Sequence, residues 1–162
     1  VDYPHAVAYL SRLKRFGIRP GLDRTRAMLS RLGDPHEKWP AVHVAGTNGK
    51  GSVVAQCAAI LGAAGLRVGR YHSPYVFDLR ERVMIGDRMI PKQEFAALMT
   101  RIAPVAEEVS AGESGPVTEF ELKTAVGFTY FAQESVDVAV VETGMGGRLD
   151  ATNVLFPQVC AV

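Results

Sequence analysis

Long apolar stretches are the first thing this sequence lacks. Its longest mostly apolar run, residues 53–66, is broken by Gln56 and is too short to cross a bilayer, and no signal peptide precedes it. No membrane association is expected. Charge of one sign is missing too: 18 Lys+Arg face 17 Asp+Glu, a net charge of +1, which leaves no broad electrostatic footprint for nucleic acid or an acidic membrane. Any anion site must be local. Cysteine is scarce: Cys57 and Cys160 lie in apolar runs without metal-ligand or redox spacing and read as buried thiols of a reducing, cytoplasmic compartment. With 48% hydrophobic and 22% charged residues among 162, disorder is excluded and one globular domain with a substantial core is expected.

Hydrophobic periodicity organises what is there. Residues 3–16 and 22–32 place apolar side chains at helical spacing, stopped by Gly17 and Gly33 and joined by "GIRPG". "AVHVA" is a short β-type run, followed by a glycine-rich loop and by "GSVVAQCAAILGAAG", apolar on nearly every face and so read as a buried helix. "LRVGRYHS" is a second short strand. "RVMIGDRMI" is a hairpin turning at Gly86 and Asp87, expected to project from the main sheet. A helix from Pro91 to about Val109 carries Pro104 as a kink or break. A further helix over residues 119–134 precedes "VDVAVVE", a near-continuous apolar run of the kind a parallel strand covered on both faces requires. Strands alternating with helices predict an α/β fold: an open, mainly parallel sheet with flanking helices, holding a P-loop-like segment. The chain opens on Val1 and stops in the strand-like "PQVCAV", which reads as a piece of a longer protein.

The segment "HVAGTNGKGS" carries the chemistry. A P-loop, GxxxxGK[ST], wraps phosphates in backbone N–H groups, reaches them with Lys and binds Mg²⁺ through the following hydroxyl. Here Gly49 and Lys50 fit, Val44 stands where the first glycine belongs, and Gly51 replaces the hydroxyl residue. Gly46, Gly49 and Gly51 permit close backbone approach, Thr47, Asn48 and Ser52 can donate hydrogen bonds, and the following helix N-terminus favours an anion. The bland alternative is an ordinary βα turn with a solvated lysine. If Gly51 cannot hold the metal, oxygen ligands must come from neighbouring strand ends. Glu142 closes "VDVAVVE" and Ser73 follows "LRVGRY", although Ser-Pro is also a common turn and His72 beside it is either a third contact or merely hydrogen-bonded.

Taken together, "GTNGKGS", "HSPY", "ERV", "TEFE" and "VVETGMGGRLDATN" resemble the folylpolyglutamate synthase and dihydrofolate synthase family of the Mur ligase superfamily, nearly end to end. "GTNGK" alone marks only the superfamily. The resemblance implies an ATP- and Mg²⁺-dependent ligase joining L-glutamate to a folate or dihydropteroate carboxylate through an acyl phosphate, in a monomeric parent enzyme. It implies that Thr47 to Ser52 bind the ATP phosphates with Lys50 on the transferred group, and that Ser73 and Glu142 hold Mg²⁺. Thr118, Phe120, Asp150 and Ala151 resemble the family's pterin-binding positions. Phe120 as core, and Asp150 as a turn or helix cap, are the alternatives. Arg82 is open between a carboxylate contact and an exposed hairpin arginine. Family members extend further, so residues 1–162 would be the N-terminal portion of the ATP-binding domain, inactive alone, with the rest of that domain and a C-terminal domain absent. Competing readings are another Mur-type amide ligase and a P-loop NTPase or nucleotide-binding switch module.

Overall fold

A computed structural model describes residues 1–162. Its centre is a sheet of 6 strands in the order β4-β3-β2-β5-β1-β6. These are β1 (Ala41–Val44), β2 (Val68–Tyr71), β3 (Val83–Ile85), β4 (Arg88–Met89), β5 (Val138–Glu142) and β6 (Val159–Ala161). β5 pairs in parallel with β1 on one side and β2 on the other, and β6 adds to β1 in parallel. Every residue of β5 is buried, as its unbroken apolar run requires of a central strand. The register sets Val44 beside Glu142 and Tyr71 beside Val141. The segments leaving β1, β5 and β2 therefore emerge at one edge.

Helices α1 (Tyr3–Leu13), α2 (Asp23–Arg31), α4 (Lys92–Ser110) and α5 (Glu119–Gln133) build the larger core, and α3 (Lys50–Ala63) covers a smaller apolar cluster of Val44, Val54, Val68, Val138 and Val140. Glycine makes the large core possible at two places. A Cβ on Gly69 would lie 2.9 Å from the Phe131 ring, and one on Gly127 would lie 2.9 Å from the Tyr71 ring. β2 and α5 thus approach more closely than side chains on both would permit, and Trp39 packs edge-on against Phe128 at 5.3 Å between ring centroids. No helix is long and apolar enough to cross a membrane.

Four expectations are corrected. The Gly86–Asp87 hairpin does not project: β3 pairs antiparallel with β2, which buries Val83 and makes the hairpin the edge of the main sheet. α4 runs on through Pro104, because Phe95, Leu98, Met99, Ile102 and Ala106 are all buried on one face and that packing offsets the roughly 3 kcal/mol a helical proline costs. α3 is not a buried helix. Only Val54 is buried, and Ile60 is 69% exposed, because the helix touches the sheet along a narrow stripe. Cys57 is half-buried and Cys160 exposed, the latter on edge strand β6, so neither is the core thiol expected.

Candidate active site

Two features share the sheet edge. The first is the loop between β1 and α3. Gly46 and Gly49 adopt φ of 133° and 79°, and Gly49 is the N-cap of α3 without a side-chain capping bond. The first-turn N–H groups of α3 are thus uncapped by any side chain at a helix end carrying partial positive charge. Lys50 Nζ donates to the Gly46 carbonyl at 2.9 Å and lies 4.0 Å from Glu142 Oε1.

Glu142 is aimed at this loop. Its side chain is 4% exposed, and Oε2 accepts the Ser73 backbone N–H at 2.9 Å. A Cβ on Gly51 would stand 3.9 Å from Glu142 Oε2. Gly51 and the carboxylate therefore face each other where a P-loop would carry its hydroxyl. No group of three or more His, Cys, Asp or Glu side chains forms a metal cage. One buried carboxylate beside a serine suits Mg²⁺, which binds through one or two carboxylates and fills its shell with water and phosphate oxygens. His72 stands next to them with Nδ1 buried and unpartnered, and burial first, then Arg70 and Arg82, push its pKa below the usual imidazole range.

The second feature is a cavity of about 630 Å³ that brings together Ser73, Arg82, Thr118, Phe120, Asp150 and Ala151. Arg82 is not an exposed hairpin arginine: it is 8% exposed, and its guanidinium carbon sits 5.5 Å from the Phe120 ring centroid and 5.6 Å from that of Tyr71. Its Nε and Nη1 are buried without a hydrogen-bond partner. Phe120 is half-buried at the cavity and packs against the main core. Its ring leans on the backbone of Gly144, where a Cβ would meet Phe120 Cζ at 2.5 Å.

Asp150 caps a short 3₁₀ turn, Ala151–Val154, and also lines the cavity. Oδ1 accepts from the Thr152 N–H at 3.0 Å and hydroxyl at 2.6 Å, while Oδ2 accepts only the Met145 N–H at 2.8 Å. One lone-pair direction on Oδ2 stays open, so capping and ligand binding are compatible. Thr118 differs, because its hydroxyl is engaged in the capping box of α5: it donates to Glu121 Oε2 at 2.9 Å and accepts the Glu121 N–H at 3.3 Å.

The chain is 42% identical over 161 residues to a dihydrofolate synthase/folylpolyglutamate synthase of Bacillus subtilis, covering 99% of this chain and 37% of that protein. The folylpolyglutamate synthase structure from Thermotoga maritima superposes with a TM-score of 0.89 at 41% identity, covering 96% of this chain and 36% of that one. A folylpolyglutamate synthase crystallised as a complex with AMPPCP and folate matches with a TM-score of 0.88 at 37% identity, over 99% of this chain and 39% of that chain. This chain belongs to the folylpolyglutamate synthase and dihydrofolate synthase family. No protein-family model matches it. It spans little more than a third of the length of those synthases, at 36% to 39%.

Several residues lining the cavity escaped sequence reasoning. Gly17 to Gly21 and Gly144 to Leu149 form its walls, tied by a hydrogen bond from Gly21 N–H to the Leu149 carbonyl at 3.3 Å. Arg24 organises one side from behind: Nε donates to Glu121 at 2.9 and 3.1 Å, Nη2 to the Arg19 carbonyl at 2.6 Å and Nη1 to the Ser114 carbonyl at 3.1 Å. The spacing Thr-x-x-Glu was a visible signal for the helix start at Thr118. Nothing local could have linked Arg24 to Glu121.

Proposed function

We propose that the protein containing this chain joins L-glutamate to the carboxylate of a folate or dihydropteroate at the expense of ATP. The observation that carries this reading is the meeting of Lys50, Gly51 and Glu142 at the mouth of β1 and β5, beside a cavity with an unpartnered arginine and an aromatic wall. The synthase complex with AMPPCP and folate supports it.

In this reading Gly46, Thr47, Asn48, Gly49, Lys50, Gly51 and Ser52 hold the triphosphate with backbone N–H groups and hydroxyls. Lys50 exchanges its bond to the Gly46 carbonyl for the transferred phosphoryl group. Glu142 and Ser73 hold Mg²⁺, which supplies charge neutralisation for the phosphates when bound. Phe120 offers a flat apolar surface to a heterocycle, Asp150 Oδ2 accepts one ring or amino N–H, Thr118 and Ala151 shape the cavity wall, and Arg82 draws in a carboxylate. A carboxylate oxygen attacks the γ-phosphorus and its bond to the β-phosphate oxygen breaks, releasing ADP. The glutamate amine then attacks the acyl carbon, the bond from that carbon to the bridging oxygen breaks, phosphate leaves carrying the carboxylate oxygen that had attacked it, and the amine loses a proton to solvent. Residues 1–162 are the first portion of the ATP-binding domain in this scheme, and the remaining ligands come from the rest of a cytoplasmic, monomeric enzyme.

The test is ADP release by the full-length protein with ATP and Mg²⁺. Release should require both dihydropteroate (or folate) and L-glutamate, and Lys50→Ala should reduce it by at least about a hundredfold, as loss of a phosphate-stabilising donor does. Equal release without either acceptor would instead identify a nucleotide-hydrolysing switch.

A further inference from the structure

The cavity carboxylate is tied to the phosphate-loop strand by a buried chain of hydrogen bonds. His43 lies in β1, the strand that feeds the loop, and Thr152 and Asp150 lie beyond β5. His43 Nε2 is 2.8 Å from Thr152 Oγ1, and Thr152 Oγ1 is 2.6 Å from Asp150 Oδ1. The three residues are 6%, 0% and 8% exposed.

Proton counting fixes the direction of this chain. Thr152 has one hydroxyl proton and donates it to Asp150. Its oxygen can then meet His43 Nε2 only as an acceptor, so His43 carries its proton on Nε2. The opposite tautomer would set Nε2 and Asp150 in competition for one proton. Burial pushes the His43 pKa below the usual imidazole range, with Asp150 opposing it, which suits a neutral ring of fixed tautomer.

We infer that His43 and Thr152 are positioning residues for the cavity: they hold Asp150 so that the free side of Oδ2 points at the ligand. Thr152 occupies Oδ1 through both its N–H and its hydroxyl, and the Met145 N–H takes one side of Oδ2. Only one acceptor direction is left for a heterocycle's N–H. Because His43 is one residue from the end of β1, the same chain joins the two halves of the site. The inference rests on the proposed pterin ligand, since it deepens the reading of Asp150.

The test measures dihydropteroate and MgATP affinity of the full-length protein by titration calorimetry. Thr152→Val should weaken dihydropteroate binding roughly tenfold or more and His43→Leu several-fold, as loss of charge-assisted bonding does, with MgATP affinity unchanged. Thr152→Ser and His43→Gln, which restore the hydroxyl and an N–H near Nε2, should return it to within about twofold of the parent. Folded Thr152→Val and His43→Leu proteins that bind dihydropteroate like the parent, or that lose MgATP affinity equally, overturn the inference. A parent that does not bind dihydropteroate overturns the substrate reading and this inference with it. Should both variants fail to fold, nitrogen NMR of the histidines in the unmutated protein decides: Nε2–H at His43 is expected, and the Nδ1–H tautomer overturns the inference.

Discussion

Gly144 shows how closely single residues define the cavity. A Cβ there would lie 2.5 Å from Phe120 Cζ and 3.0 Å from Asp150 Oδ2, so Gly144→Ala must displace the ring, the carboxylate or both. Phe120 is the freer of the two, being half-buried while Asp150 is held by three bonds. The variant should lose dihydropteroate affinity by roughly tenfold while retaining MgATP affinity, a contrast calorimetry reads directly. The histidines give a second outcome at this scale. Burial pushes the pKa values of His36 and His43 below the ordinary imidazole value of 6.5. Between the folded and unfolded values the unfolded chain binds more protons, so stability rises with pH there. The stability these neutral rings contribute is present above about pH 6.5 and is lost as pH falls below it. Urea midpoints of the full-length protein should fall on acidification from about pH 7.5 to about pH 5.5. A flat profile, or a higher midpoint in acid, would contradict the burial of neutral imidazoles.

Elements differ in how much their residues reveal. The apolar run of β5 declares a central parallel strand, and the Gly86–Asp87 turn declares a hairpin, because each pattern is local and its cause is local. α3 misleads for the converse reason: its small apolar residues fit a buried helix equally well, and only the narrow contact with the sheet leaves Ile60 exposed. Pro104 misleads because a neighbouring face decides whether a helix tolerates it. Two glycines separate these influences. In α5, replacing Gly127 by Ala gains up to about 1 kcal/mol of helix propensity but drives a Cβ to 2.9 Å from a Tyr71 ring that is fully buried and held to Thr124 at 3.0 Å. Overpacking costs about 1–3 kcal/mol and wins, so Gly127→Ala should lower the melting temperature. In α3, Gly62 has nothing within 4 Å of its missing Cβ, and Gly62→Ala should stabilise by about 0.5 kcal/mol. Thermal unfolding of the two variants should therefore move in opposite directions.

At the scale of the molecule, function follows from sheet order. β5 lies between β1 and β2, so Glu142 emerges between the glycine-rich loop and Ser73, with its carboxylate facing Gly51. The motifs were legible as motifs, with "GTNGKGS" and the carboxylate of "VDVAVVE" readable as partners from the logic of strand ends. The cavity was legible only in half. Thr118, Phe120, Asp150 and Ala151 stood in recognisable strings, whereas Gly17 to Gly21 and Arg24 take their meaning from contacts with residues about a hundred positions away, such as Arg24 with Glu121. Local periodicity holds no record of such pairings. The most direct measurement of the central claim is Mg²⁺-dependent nucleotide binding by the full-length protein and its Glu142→Gln variant. The parent should bind ATP at least about tenfold more tightly with Mg²⁺ than with a chelator, and the variant should lose most of that difference while still binding free ATP through the loop. An undiminished Mg²⁺ advantage in Glu142→Gln would contradict the account.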